Sequence, residues 1–183
     1  MAIDDSDASG ISGALRSAHG KGVVRLEIRL DAEADDVWSA ITSPSRLAGW
    51  YGQVDGDLWP GGQFHIYIEA DDWEGTGRVE VCEPPRRLRV TTRESEESWR
   101  KGQGAAPFDA TVDASLTARG DQTMVVAEVR GMPLDKLAAY GAGWQIHAEN
   151  LAAYLAGRGR GDIEARWAEL IPIYQARAAS IDE

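Results

Sequence analysis

A chain of 183 residues with a formal net charge of -11 and a single cysteine, Cys82, is long enough to bury a core without disulfides and has no intrachain bridge to form. The acidic excess speaks against nucleic acid and anionic membrane surfaces as partners, because binding there runs through Lys and Arg. No stretch approaches the roughly 18 apolar residues of a membrane helix, and the N-terminus MAIDDSDASG lacks the basic start and apolar run of a signal peptide, so the expectation is one domain of a cytoplasmic protein.

Residues 1–12 read as a disordered leader. Residues 13–30, GALRSAHGKGVVRLEIRL, then predict a short strand, a turn at His19–Gly22 and a longer strand. In the longer one Val24, Leu26, Ile28 and Leu30 alternate with Arg25, Glu27 and Arg29, which gives one buried face and one wet face. Acidic residues Asp35 and Asp36 before Val37, Trp38 and Ile41 favour a helix start. Ser43-Pro44 opens a second short helix through Trp50, with proline at a position where its missing N–H costs nothing.

Strands follow at 53–58 and 63–69 around Trp59-Pro60-Gly61-Gly62. Pro then Gly suits the two central positions of a type II turn, so the glycine pair is a hairpin turn; a phosphate loop would need a helix after it. In the strand that follows, Phe64, Ile66 and Ile68 face in, and His65, Tyr67 and Glu69 face out. Strands at 75–83 and 87–93 flank Pro84-Pro85, and 94–107 reads as a long polar loop. A last hairpin, 108–118 and 122–130, leads to one amphipathic helix over 134–155, ended by Gly157. A shorter helix follows, interrupted near Pro172. Hairpins imply an antiparallel sheet, and the long helix is the element available to cover its apolar face.

Particular residues in this order carry a resemblance. They are Val37-Trp38 with Ile41, then Pro44, Leu47 and Trp50-Tyr51, and Leu58 followed by Gly61-Gly62. Next come Gly77-Arg78-Val79 with Pro84-Pro85-Arg86-Arg87-Leu88, and the helix GAGWQIHAENLAAYLAG. Spanning residues 23–157, they resemble the START-like or helix-grip (SRPBCC) superfamily, in the branch named after the activator of the Hsp90 ATPase. The resemblance implies an α+β domain, taken as residues 13–157, in which a curved antiparallel sheet grips the C-terminal helix around a cavity. Residues 158–183 would form a helical extension packed on it. It also implies reversible binding of a small hydrophobic or aromatic molecule. The alternatives are a polyketide cyclase or aromatase-type enzyme, and a protein-interaction module.

Candidate site residues follow from the cavity that the resemblance implies, together with the alternation and helix spacing. Trp50, Trp59 and Trp73 are either gate residues or ordinary packing aromatics. Ile66, Val79, Val81, Leu88, Val90, Val112, Leu116, Val125 and Ala127 are the expected sheet wall, and Gly141, Trp144 and His147 the expected helix wall. Gly141 and Gly143 inside a helix suggest close approach to the sheet or to a ligand; the alternative is a helix that starts late or kinks there. His147 is either a core histidine with a protein partner or a polar contact and proton shuttle, and it is the weak catalytic candidate. Glu74, Arg78 and Arg93 are further possible polar groups for the cavity, although Arg78 is expected to point outward. Cys82 sits opposite Val79 and Val81 in the alternation, between acidic neighbours that disfavour a thiolate, and is not read as a nucleophile. No His and Cys spacing resembles a metal site, and no cofactor is expected. For the interaction reading, or a homodimer, the candidate surface is the outward sheet face with Tyr67, Met124 and Val126.

Overall fold

The computed structural model describes residues 10–101 and 107–181. Its sheet has eight strands: β1 (Ile11–Ala18), β2 (Lys21–Leu30), β3 (Gln53–Gly56), β4 (Gln63–Ile68), β5 (Trp73–Glu83), β6 (Arg87–Glu94), β7 (Asp109–Arg119) and β8 (Gln122–Met132). Their spatial order is β1-β2-β8-β7-β6-β5-β4-β3, antiparallel throughout. Helices α1 (Ala34–Thr42) and α2 (Pro44–Trp50) connect β2, near one edge, with β3 at the other. They close one end of the concave face. A 3-10 turn, Leu134–Lys136, leads into α4 (Leu137–Leu155), which lies across that face, and α5 (Ile163–Ala179) packs on α4 and β1.

Local chemistry accounts for the elements. Val24, Leu26, Ile28 and Leu30 on β2 are all buried, and Glu27 and Arg29 between them are exposed. Asp35 and Asp36 occupy the first turn of α1, and Pro44 begins α2. The turn at Trp59–Gly62 is the expected type II turn. The Gly62 N–H donates to the Trp59 carbonyl at 2.8 Å, and Gly61 has φ of +84°, a conformation open to glycine. The Asp162 side chain caps α5 by accepting from the Ala165 N–H at 3.0 Å. Pro172 lies inside α5, which runs through it as one helix instead of breaking.

Three expectations change. The leader reading extended to residue 12, but β1 begins at Ile11, which is 2% exposed and pairs with Ile28; residues 1–9 lie outside the described residues. Within the expected loop 94–107, Glu94 ends β6 and Glu96–Lys101 form a short helix, α3. Ser98 ties α3 to β5: its hydroxyl accepts from the Glu74 N–H and donates to the Asp72 carbonyl. The third change is in β5. Val79 pairs with Val90 but Val81 pairs with Arg89, so one extra residue, Glu80, interrupts the register. From there the faces exchange: Cys82, paired with Leu88, packs on the core, and Val81 turns to the other side.

The long helix is also more than a one-sided cover. Trp144, Ala148 and Leu151 face the sheet, and Ala142 and Ile146 pack with Leu170 and Tyr174 of α5. Tyr174 is fully buried and sits where side chains at Gly13 on β1 and Gly141 on α4 would collide with its ring or hydroxyl. Its hydroxyl donates to Gln145 Oε1 at 2.7 Å. The two glycines thus make a slot for one tyrosine.

Candidate functional site

Between the sheet and α4 lies an inner chamber of about 160 Å³. Its sheet wall includes Leu26, Ile28, Phe64, Ile66, Val79, Leu88, Val90, Val112, Val125 and Ala127; its helix wall is Trp144, His147, Ala148 and Leu151. Trp50, Tyr51 and Leu47 of the α2 region close one end. Next to it is an outer chamber of about 230 Å³, lined by Trp73, Glu94, Phe108, Tyr140, Gly143 and Trp167 among others. The two share Tyr51, Thr92, Trp144 and His147. These make a partition of rings: the Tyr51 centroid lies 4.9 Å from His147 and 6.3 Å from Trp144, and His147 lies 5.7 Å from Trp144.

Most polar groups on the inner wall are spent on the protein. Trp50 Nε1 donates to the Ala40 carbonyl at 3.0 Å, and Thr42 Oγ1 to the Trp38 carbonyl at 2.7 Å. Thr92 Oγ1 reaches the Ala110 carbonyl at 3.5 Å, and Tyr51 has an interaction of its own. His147 Nδ1 is the one buried side-chain nitrogen or oxygen among the described residues with no hydrogen-bond partner. What surface the ring keeps lies along the chambers. Burial, with a further push from the positive charge of Arg160, lowers its pKa from 6.5 to about 4. At neutral pH the ring is therefore uncharged and carries one donor and one acceptor nitrogen. It can exchange a hydrogen bond with a ligand hydroxyl or carbonyl, but it is not a proton donor at that pH.

The structure sorts the candidates. Trp50, Ile66, Val79, Leu88, Val90, Val112, Val125, Ala127, Trp144 and His147 line the inner chamber. Trp73 lines the outer one. Val81 does not reach either, because the bulge reverses its side. Leu116 is buried in the same core but is not part of the chamber wall. Gly141 faces Tyr174 and Leu15, so its close approach is to α5 and β1 and not to a ligand. Trp59 is 60% exposed on its turn and lines neither chamber.

Glu74, Arg78 and Arg93 are on the outer face. Glu74 meets His65 at 2.7 Å, Arg93 pairs with Asp109, and Arg78 is exposed. Cys82 lies inward, and burial raises its thiol pKa, which leaves it a poor nucleophile. Tyr51 and Glu94 were missed. Tyr51 hides beside the more conspicuous Trp50. Glu94 simply continues the inward alternation Leu88, Val90, Thr92, which is the signal that would have found it. Among the described residues no group of His, Cys, Asp and Glu could hold a metal ion, and no helix is long and apolar enough to cross a membrane.

The model of the family described as Activator of Hsp90 ATPase homolog 1-like protein matches residues 31–156, well over half the chain. The chain belongs to that family. No curated protein matches it. Among solved structures, the crystal structure of CalU16 from Micromonospora echinospora is 25% identical, with a TM-score of 0.72 over 95% of this chain and all of CalU16. The solution structure of CalU16 matches with a TM-score of 0.74 at 24% identity over 96% and 98% of the two chains. DynU16, a protein in the dynemicin biosynthetic locus, is 25% identical over 77% of this chain and 50% of its own, with a TM-score of 0.64. The family match contains α1, α2 and α4 but stops before α5, so Trp167 in the outer chamber comes from outside the matched residues.

Proposed function

We propose that the protein binds a small hydrophobic or aromatic molecule between the sheet and α4, with His147 as its polar contact. The observation that carries the reading is His147, whose ring lines an otherwise apolar chamber and whose Nδ1 has no hydrogen-bond partner. Ligand sites of this type are mostly apolar with a few polar groups that orient the ligand. Size narrows the ligand. A cavity on the order of 150 Å³ holds a benzene-sized molecule, so the inner chamber takes one ring, and a larger ligand extends into the outer chamber. Burying ~300 Å² of apolar ligand surface contributes about 7 kcal/mol before the costs of association, which supports micromolar binding at best. The setting of DynU16 in a biosynthetic locus fits a ligand of natural-product type.

The test is titration with 4-ethylphenol, followed by tryptophan fluorescence and the unfolding midpoint. Ala127→Leu, which fills the inner chamber, is expected to abolish binding and to leave the fold at least as stable. An Ala127→Leu protein that binds as well as the parent would show that the chamber is not the site. Native mass spectrometry of the purified protein, before and after denaturation, would identify a retained molecule by mass.

A second reading is a cyclase-type enzyme, favoured by Tyr51 lying beside His147 on the partition. Folding a reactive chain over two such groups supplies orientation and acid-base help. His147→Ala would then abolish turnover while binding survives. A variant with full activity would remove His147 from any chemical role.

A further inference from the structure

The outer chamber has a composition unlike the inner one. Tyr51, Trp73, Phe108, Tyr140, Trp144 and Trp167 supply six aromatic side chains, and Glu94 supplies a carboxylate. The alternation of β6 explains how the carboxylate comes to be there. Arg87, Arg89 and Arg93 face outward to Asp113 and Asp109, while Leu88, Val90, Thr92 and Glu94 face the chambers. Glu94 is half-buried and makes no hydrogen bond or ion pair among the described residues, and no Lys or Arg lines the chamber among them. Its charge is felt at Tyr140, whose phenol pKa is raised to about 12 by burial and, secondarily, by Glu94. That phenol stays neutral and leaves Glu94 as the charge in a ring-walled space. Aromatic faces are attracted to cations, and more so where water is excluded. An inward carboxylate without a protein partner adds a counter-charge.

We propose that the outer chamber is a subsite for a protonated amine, with Glu94 as counter-charge and the rings of Trp73, Tyr140, Trp144 and Trp167 as its walls. The ligand class is then an aromatic or aliphatic molecule that carries an ammonium group. Its apolar end occupies the inner chamber, and its chain crosses the partition at Tyr51, Trp144 and His147. This rests on the binding reading above and narrows it. It also gives α5 a part in recognition, through Trp167.

The test compares 5-phenylpentan-1-amine with 5-phenylpentan-1-ol, which differ in the ammonium group alone, on the full chain and on Glu94→Gln, by calorimetric titration at low and high salt. The parent is expected to bind the amine about tenfold tighter than the alcohol at low salt, with the preference shrinking as salt rises. Glu94→Gln is expected to bring the amine's affinity down to about that of the alcohol. Since Glu94 has no partner to lose among the described residues, the unfolding midpoint of the variant is expected to be unchanged or higher. If both compounds bind equally, or if the preference survives in Glu94→Gln, the amine subsite is overturned and the apolar chamber stands. If neither compound binds the parent, the binding reading itself fails and the subsite with it.

Discussion

His147 shows how one position changes meaning with its surroundings. In the sequence it is a histidine near an apolar helix face, with a reference pKa near 6.5. In the structure it is neutral, with a pKa of about 4. Between those two values the unfolded chain takes up a proton that the folded protein refuses. Stability is therefore complete above pH 6.5, falls as the pH drops toward 4 and levels below that. The full effect is on the order of 3 kcal/mol. His147→Phe is expected to flatten this part of the stability profile in urea titrations run between pH 7 and 4. Identical profiles for parent and variant would mean that the ring is not held neutral. The tryptophans divide in the same way. Trp50 is 7% exposed and bonded to Ala40, whereas Trp59 is 60% exposed. Trp50→Ala is expected to cost roughly 3–5 kcal/mol, and Trp59→Ala no more than about 0.5 kcal/mol, both read from urea midpoints. A large loss at Trp59 would contradict its place on the turn.

Among the elements, β5 and α4 departed from their simple patterns, each for a local reason. The bulge in β5 inserts one residue and exchanges the faces, so period-two counting is right through Val79 and wrong from Val81 onward. In α4 Gly141 does not serve the cavity, whereas Gly143 lines the outer chamber. Gly141 makes room for Tyr174, which belongs to a helix more than twenty residues further along the chain. Gly141→Ala gains about 1 kcal/mol of helix propensity. A Cβ there would nevertheless run into the Tyr174 ring, and overpacking of this kind costs roughly 1–3 kcal/mol. The expected outcome is a net loss in midpoint, relieved when Tyr174→Ala is added. A Gly141→Ala protein more stable than the parent would mean that α5 does not pack on α4 in this way.

For the molecule as a whole, the two faces of the sheet have separate roles. The inner face is the core and the chambers. The outer face carries ion pairs: Arg16, Arg25 and Arg130 surround Glu128, and Arg87 and Arg89 hold Asp113. Tyr67, Met124 and Val126, the apolar side chains expected on this face, are each partly buried and share the face with these ion pairs. Hydrogen bonds from Arg87 first, and then from Arg89, hold the Asp113 pKa at about 2, below its usual 3.8. Its contribution is present above pH 3.8 and is lost as the pH falls through 2. The arginines are about one-third exposed, which limits the contribution to about 1 kcal/mol. Asp113→Asn is expected to lower the urea midpoint at pH 7 by that amount and to match the parent near pH 2. An equal difference at both pH values would rule out the ion pairs as its cause.

The alternation of β2, the proline and glycine of the Trp59–Gly62 turn and the periodicity of the long helix are local patterns, and each requires only that one face be buried. They determined the strand order along the chain and an antiparallel sheet covered by the long helix; the helix-grip class, and with it the inner wall from Ile66 and Val79 to Trp144, came from the family resemblance. The tertiary structure decided what depends on partners distant in sequence. It placed Tyr51 against Trp144 and His147, sent Gly141 to Tyr174 instead of a ligand, turned Val81 away and brought Glu94 in among rings from five separate stretches of chain. The reason is physical. A residue's face can be read from its neighbours two to four positions away, but a cavity is the space that several elements leave unfilled, and no one of them encodes it.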